Sequence, residues 1–179
     1  MVKIILYFVF CIIFCVKSFA DFTGSISSNS WQEKLPITYT DPLTTTKVSK
    51  DFLGTFSTVS LSVGYENLFS KRWRYAIQAA YHLGEVDFHK LDSLAGPRKS
   101  LRTISSDIKF NYRVSKTFTF GPQASIHTNT IKDVGSGFNY SYLFNMDFEI
   151  FTDTRLSQTL GTVAGSDTLA YSLALIKIF

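Results

Sequence analysis

From Asp21 onward, apolar and polar residues alternate along most of the chain. Val59, Leu61, Val63 and Tyr65 interleave with Ser60, Ser62, Gly64 and Glu66. Trp73, Tyr75, Ile77, Ala79, Tyr81 and Leu83 then interleave with Arg74, Ala76, Gln78, Ala80, His82 and Gly84. A period of two belongs to a strand whose faces meet different surroundings. Asn67 to Arg72, between the two runs, is short enough for a hairpin. The arrangement recurs in Ile104 to Val114, Phe118 to Ile126, Phe138 to Ile150 and Leu169 to Phe179. A weaker run spans Arg155 to Thr162, carried by Leu156 and Leu160, and the weakest holds Phe22, Gly24 and Ile26. Pro122 sits inside one run, where a lipid-facing proline is tolerable at a bulge or strand end.

These runs predict eight strands, and their connections alternate in length. Ser30 to Leu53 and Glu85 to Leu101 are long, Lys132 to Gly137 and Gly161 to Asp167 are medium, and Asn67 to Arg72, Ser115-Lys116 and Phe151 to Thr154 are short. Long and medium connections therefore fall on one rim and tight ones on the other. An even strand count with one rim of turns and one of loops is the organisation of an antiparallel up-and-down barrel that spans a bilayer. The better strands have roughly 10 to 13 residues, matching the ~9–11 that a tilted strand needs to cross.

Side-chain size indicates which face is outside. The apolar face is crowded with Phe, Tyr, Trp, Leu and Ile, whereas the polar face is mostly Ser, Gly, Ala and Asn. Eight strands enclose a lumen only wide enough to be filled by side chains, so the large set must face lipid and the small set the interior. A soluble lipocalin-like binding barrel is the alternative, with the faces reversed. Trp73, Tyr75, Phe118 and Phe120 fall near the short-turn rim and Tyr81 and Tyr140 near the loop rim, as two interfacial girdles require.

The first twenty residues follow a different pattern. Lys3, the apolar run Ile4 to Val16 and the small residues of Ser18-Phe19-Ala20 read as a secretory signal, leaving one domain over 21–179. Removing it discards both cysteines, Cys11 and Cys15, so the mature domain has no thiol or disulfide chemistry. It also leaves sixteen basic against fourteen acidic residues, too even a balance for a nucleic-acid binder. No apolar run reaches the roughly 20 residues of a membrane helix.

The closing run Tyr171-Ser172-Leu173-Ala174-Leu175-Ile176-Lys177-Ile178-Phe179 resembles the end of the small eight-stranded outer-membrane barrels of Gram-negative bacteria. That group includes the OmpA transmembrane domain, OmpX and the Opa-like porin-family proteins. Tyr171, Leu173, Leu175 and Phe179 are similar to the signal by which the barrel-assembly machinery recognises its clients, and Lys177 stands where an apolar residue is usual. The resemblance implies an exported, monomeric outer-membrane protein in contact with lipopolysaccharide, with no cofactor.

The lumen face collects Glu66, Arg74, Asp107, Lys109, Arg113, Asp147 and Glu149. Enclosed charges of both signs must pair, so the expected result is a salt-bridged plug or a very narrow pore. A wide aqueous channel needs roughly 16 strands. The expected role is structural, surface-interacting or narrow-pore, with no catalytic or metal site. The enzymatic alternative is a lipid A deacylase or acyltransferase, for which His127-Thr128-Asn129, His89, Asp92 and Ser93 are the available material, without a spacing that pairs a nucleophile with a base. His82 and His127 fall on the lumen face. Lys90, Arg98, Lys99 and Arg102 in and beside the second long connection suit phosphate groups of lipopolysaccharide.

Overall fold

The computed structural model describes residues 20–40, 44–88 and 98–179. Eight strands run in chain order: β1 (Ala20–Thr40), β2 (Lys47–Leu68), β3 (Trp73–Phe88), β4 (Arg98–Arg113), β5 (Phe118–Ile131), β6 (Gly135–Phe151), β7 (Thr154–Val163) and β8 (Leu169–Ile178). Each pairs antiparallel with the next, and β1 pairs with β8, closing the sheet into an up-and-down barrel. No helix occurs among the described residues. The expected leader lies outside this range except for Ala20, whose backbone opens β1 opposite Asn67.

The three expected short connections are tight turns. Two share one construction. In the β2–β3 turn, Phe69 and Ser70 donate their amides to the Trp73 carbonyl, and the Ser70 hydroxyl accepts the amides of Arg72 and Trp73. In the β4–β5 turn, Val114 and Ser115 donate to the Phe118 carbonyl, and the Ser115 hydroxyl accepts the Thr117 amide. A serine that bonds to backbone two residues on is a common turn former, because its short side chain can stand in for a backbone acceptor. Each turn places a lysine directly after that serine.

The loop rim departs from expectation. Ser30 to Leu53 is not a long loop: β1 and β2 stay in register from Ala20↔Asn67 to Thr40↔Lys47. β8 accompanies β1 only from Thr23 to Ser30, and β3 joins β2 only from Gly54 onward. The far part of this hairpin is therefore a two-stranded ribbon standing beyond the barrel wall. A ribbon held by its own ladder has no buried face to dictate alternation, so the pattern that marks strands elsewhere lapses there. Glu85 to Leu101 is narrowed likewise, since β3 continues to Phe88 and β4 begins at Arg98. His89, Lys90, Asp92 and Ser93 lie outside the described residues.

Pro122 faces outward from the middle of β5. It keeps its place opposite Phe144 of β6, but pairing with β4 lapses between Lys109↔Gln123 and Tyr112↔Phe120, where the imide nitrogen has no hydrogen to donate. Its neighbour Gly121 lies so close to β4 that an added Cβ would stand 1.8 Å from the Phe110 carbonyl oxygen.

Outside, the barrel wears an apolar coat. Among the described residues, 29 large hydrophobic side chains are exposed, against 11 buried hydrophobic residues. Val63 and Tyr142 are 71% and 66% exposed in mid-strand. A soluble barrel would hide such residues inside, so the lipocalin-like arrangement of faces is not the one adopted. The girdle residues Trp73, Tyr75, Tyr81, Phe118, Phe120 and Tyr140 lie on this outer face. Near the turn rim the rings form a continuous belt: Phe69 meets Trp73, Trp73 meets Tyr112 at 5.1 Å, Tyr112 meets Phe120, and Phe118 stacks on Phe148 at 4.8 Å. Tyr171, Leu173 and Leu175 also point outward, and the Phe179 amide bonds to the Phe22 carbonyl across the seam.

The rule of small and polar inside fails at the loop end. There Trp31, Leu35, Phe56, Val86, Phe88, Leu101, Ile131 and Val163 turn inward and form a buried apolar cluster. Trp31 stacks on Phe56 with ring centres 5.0 Å apart. The lumen is narrow enough for a few large groups to fill one end without filling its whole length.

Candidate functional site in the lumen

Three layers occupy the interior, each assembled from inward positions of several strands. At the turn end, β2 contributes Glu66, β3 Arg74 and β7 Arg155. The Arg155 guanidinium grips Glu66 with both arms, Nη1 to Oε2 at 2.8 Å and Nη2 to Oε1 at 2.9 Å. Arg74 Nη1 approaches Glu66 Oε1 to 3.2 Å without hydrogen-bond alignment, so its hold is one of charge. The two-armed geometry matches the planar fork of arginine to a carboxylate, the strongest form of this pair. Asp147 lies beside them, accepting from Asn111 at 3.0 Å, Asn145 at 2.7 Å and Thr119 at 3.5 Å. Arg113 and Glu149 reach only the mouth, where they meet Lys116 and Thr117 around a small recess.

The middle layer is a hydroxyl-lined chamber of about 100 Å³. Ser25, Ser27, Ser60, Ser62, Ser125 and Ser157 form much of its wall, and Asp107, Lys109, Gln78 and Gln123 also face it. Gln78 Nε2 donates to both Ser25 and Ser62. Gln123 Oε1 and Ser157 Oγ are buried without a hydrogen-bond partner among the described residues and face the same space. A space this polar and this large is suited to water.

The loop-end layer centres on Glu33, 1% exposed. Its Oε2 accepts from Asn129 Nδ2 at 2.8 Å, Trp31 Nε1 at 3.2 Å and His127 Nε2 at 3.2 Å. The Asn129 carbonyl in turn accepts the Thr103 hydroxyl at 2.7 Å. A buried carboxylate with three donors is compensated as charge burial requires. Over this node lies the apolar cluster of Trp31, Phe56 and their neighbours, so the loop end is covered by side chains and the turn end is crossed by ion pairs.

His82 lies beside Ser105, with Nε2 2.9 Å from the hydroxyl oxygen. On its other side the ring meets Asn29. The Asn29 carbonyl accepts hydroxyls from Ser172 at 2.7 Å and Ser27 at 3.1 Å, and its amide nitrogen lies 3.4 Å from His82 Nδ1 while also donating toward Thr58 and Ser60 at 3.3 Å.

Of the lumen residues expected from sequence, the structure brings Glu66, Arg74 and Asp147 together, places Asp107 and Lys109 on the chamber wall, and leaves Arg113 and Glu149 at the mouth. Arg155 and Glu33 are not in the expected set. Arg155 precedes the outward-facing Leu156 in the weak seventh run, so alternation points it inward. Glu33 falls within the expected long loop, although Trp31, Glu33 and Leu35 share the spacing of one strand face.

The barrel matches solved outer-membrane structures. Ail, the attachment invasion locus protein of Yersinia pestis, in complex with the heparin analogue sucrose octasulfate, superposes with a TM-score of 0.52 at 10% identity, covering 90% of this chain and 100% of that one. The outer membrane protein OprG from Pseudomonas aeruginosa gives 0.50 at 11% identity, covering 90% and 93%. No family model and no curated protein sequence matches the chain. The likeness is one of fold, the small eight-stranded outer-membrane barrel.

Proposed function

We propose that the chain is an integral outer-membrane protein of a Gram-negative cell, exported through its leader, whose barrel is a plugged anchor and whose working surface is the loop rim. The observation that carries this reading is the double closure of the lumen, by Glu66 with Arg155 and Arg74 at one end and by Trp31 with Phe56 at the other. A solute path would have to break a buried two-armed ion pair and displace a stacked aromatic pair. The apolar coat and the aromatic belt support the membrane setting.

On this reading the β1–β2 ribbon is the part presented outward. Tyr171, Leu173, Leu175 and Phe179 serve the barrel-assembly machinery during insertion. Lipopolysaccharide is the lipid partner at the loop rim. Arg102, exposed on the outer face of β4 and without an ion pair among the described residues, suits its phosphates. Arg98 and Lys99, by contrast, lie near Glu85, Asp87 and Asp133.

Purified protein in planar bilayers tests the plug. Folded protein, recognised by faster gel migration before boiling, should give no single-channel steps above those of protein-free bilayers. Steady conductance from the same compact form would replace the plug with a narrow pore. Recovery of the mature protein in the soluble periplasmic fraction would overturn the outer-membrane reading itself.

A further inference from the structure

The two serine turns carry three cations, of which Lys116 also borders the recess at the lumen mouth and Lys71 and Arg72 do not. Ser70-Lys71-Arg72 and Ser115-Lys116-Thr117 are built alike and are joined, since the Arg113 amide donates to the Arg72 carbonyl at 2.7 Å. Lys71, Arg72 and Lys116 are exposed, and none forms an ion pair among the described residues. Neither turn contains a carboxylate. The nearest acids are Glu66 and Asp147, which face the lumen, and Glu149 of β6, which borders the recess at its mouth together with Lys116 and donates its amide to the Thr117 carbonyl. The Arg72 guanidinium is steered outward, with Nη1 donating to the Tyr112 hydroxyl at 2.7 Å. Tyr112 packs against Trp73 and Phe120 in the aromatic belt.

We propose that this arc of the turn rim is a binding surface for anionic phospholipid headgroups. The belt marks the depth of the membrane interface, because aromatic rings with polar tips settle at headgroup level. The cations stand one step beyond the belt toward the turns, at the depth of lipid phosphates. The guanidinium and ammonium groups offer charge-assisted hydrogen bonds to phosphate oxygens. Selection against zwitterionic lipid follows from what the arc lacks: a headgroup ammonium finds no carboxylate on either turn. The proposal rests on the outer-membrane reading, in which short turns face the phospholipid leaflet.

The test is reconstitution of the full mature barrel into phosphatidylcholine vesicles with and without a minority of phosphatidylglycerol, followed by native mass spectrometry of the lipids retained. Wild type should keep phosphatidylglycerol in excess over its share of the vesicle, and the excess should shrink as salt rises. Arg72→Ala and Lys116→Ala should each reduce the excess about five-fold. Tyr112→Phe keeps the ring but frees the guanidinium, and should reduce it less. A folded wild type that retains both lipids in vesicle proportion overturns the lipid site and leaves the membrane reading standing. A protein that inserts into neither vesicle overturns both. Inorganic phosphate that abolishes the excess at concentrations where chloride of equal ionic strength does not would show a site for free phosphate, and would overturn the lipid assignment.

Discussion

Glu66 holds two guanidiniums, and the asymmetry between them makes a prediction at the scale of single residues. Replacing Glu66 by Gln leaves Arg155 and Arg74 buried beside each other with only the nearby Asp147 as counter-charge. Removing one partner of a buried pair costs about 3–5 kcal/mol, chiefly through the charge left behind. Glu66→Gln should therefore lower the unfolding free energy of the refolded barrel by about that amount in denaturant titration in vesicles. Arg74→Gln should cost clearly less, because Arg155 still satisfies both carboxylate oxygens. Equal losses would mean that the two guanidiniums do not share one carboxylate as described. The Glu66 side of this node was legible in the sequence, because a lone acid on a face of serines and glycines stands out. Arg155 was harder to see: β7 carries few large outward residues, and alternation is the only signal of which way a charged residue turns. Glu33 was hidden by a different cause, since its strand continues into a ribbon that needs no apolar face.

At the scale of elements, the approach of β5 to β4 is limited by backbone. The missing Cβ at Gly121 lets the Phe110 carbonyl come close, where Pro122 interrupts the ladder. Gly121→Ala should force the two strands apart and reduce the fraction of refolded protein with compact, unboiled gel migration. Gly137→Ala is the control. Its new methyl would meet only the end of the Leu35 side chain at 3.3 Å, which can rotate aside, so refolding should stay near wild type. The β1–β2 ribbon gives a second contrast. Beyond Leu35 and Gly54 its strands pair only with each other, so replacing residues 38–49 by a short turn should leave the compact form and its denaturation midpoint nearly unchanged. A collapse of either would show that the ribbon supports the wall. Strand order and facing were readable because each wall strand lies between an apolar exterior and a polar lumen. Strand ends were not, because beyond the wall that contrast of surroundings disappears.

For the whole molecule, the distribution of apolar groups is the inverse of a soluble protein with one exception, the aromatic cap at the loop end. The sequence-level rule that large groups face lipid holds along the wall and breaks where Trp31 and Phe56 turn inward. Nothing in a period of two distinguishes an apolar residue facing lipid from one facing an apolar cap, so that part of the interior emerges only from the closed structure. The closure also has a kinetic side. The β1–β8 seam contains eight paired positions, whereas the β1–β2 hairpin contains 21. Hairpins form from neighbours in the chain, but the seam joins segments separated by nearly its full length, and such distant pairings are the slowest to form. Until the seam zips, both outer strands expose unsatisfied backbone edges able to pair with another copy. The shortest ladder in this ring is thus also the last to form, which makes the interval before zipping the time when the growing sheet most needs a chaperone.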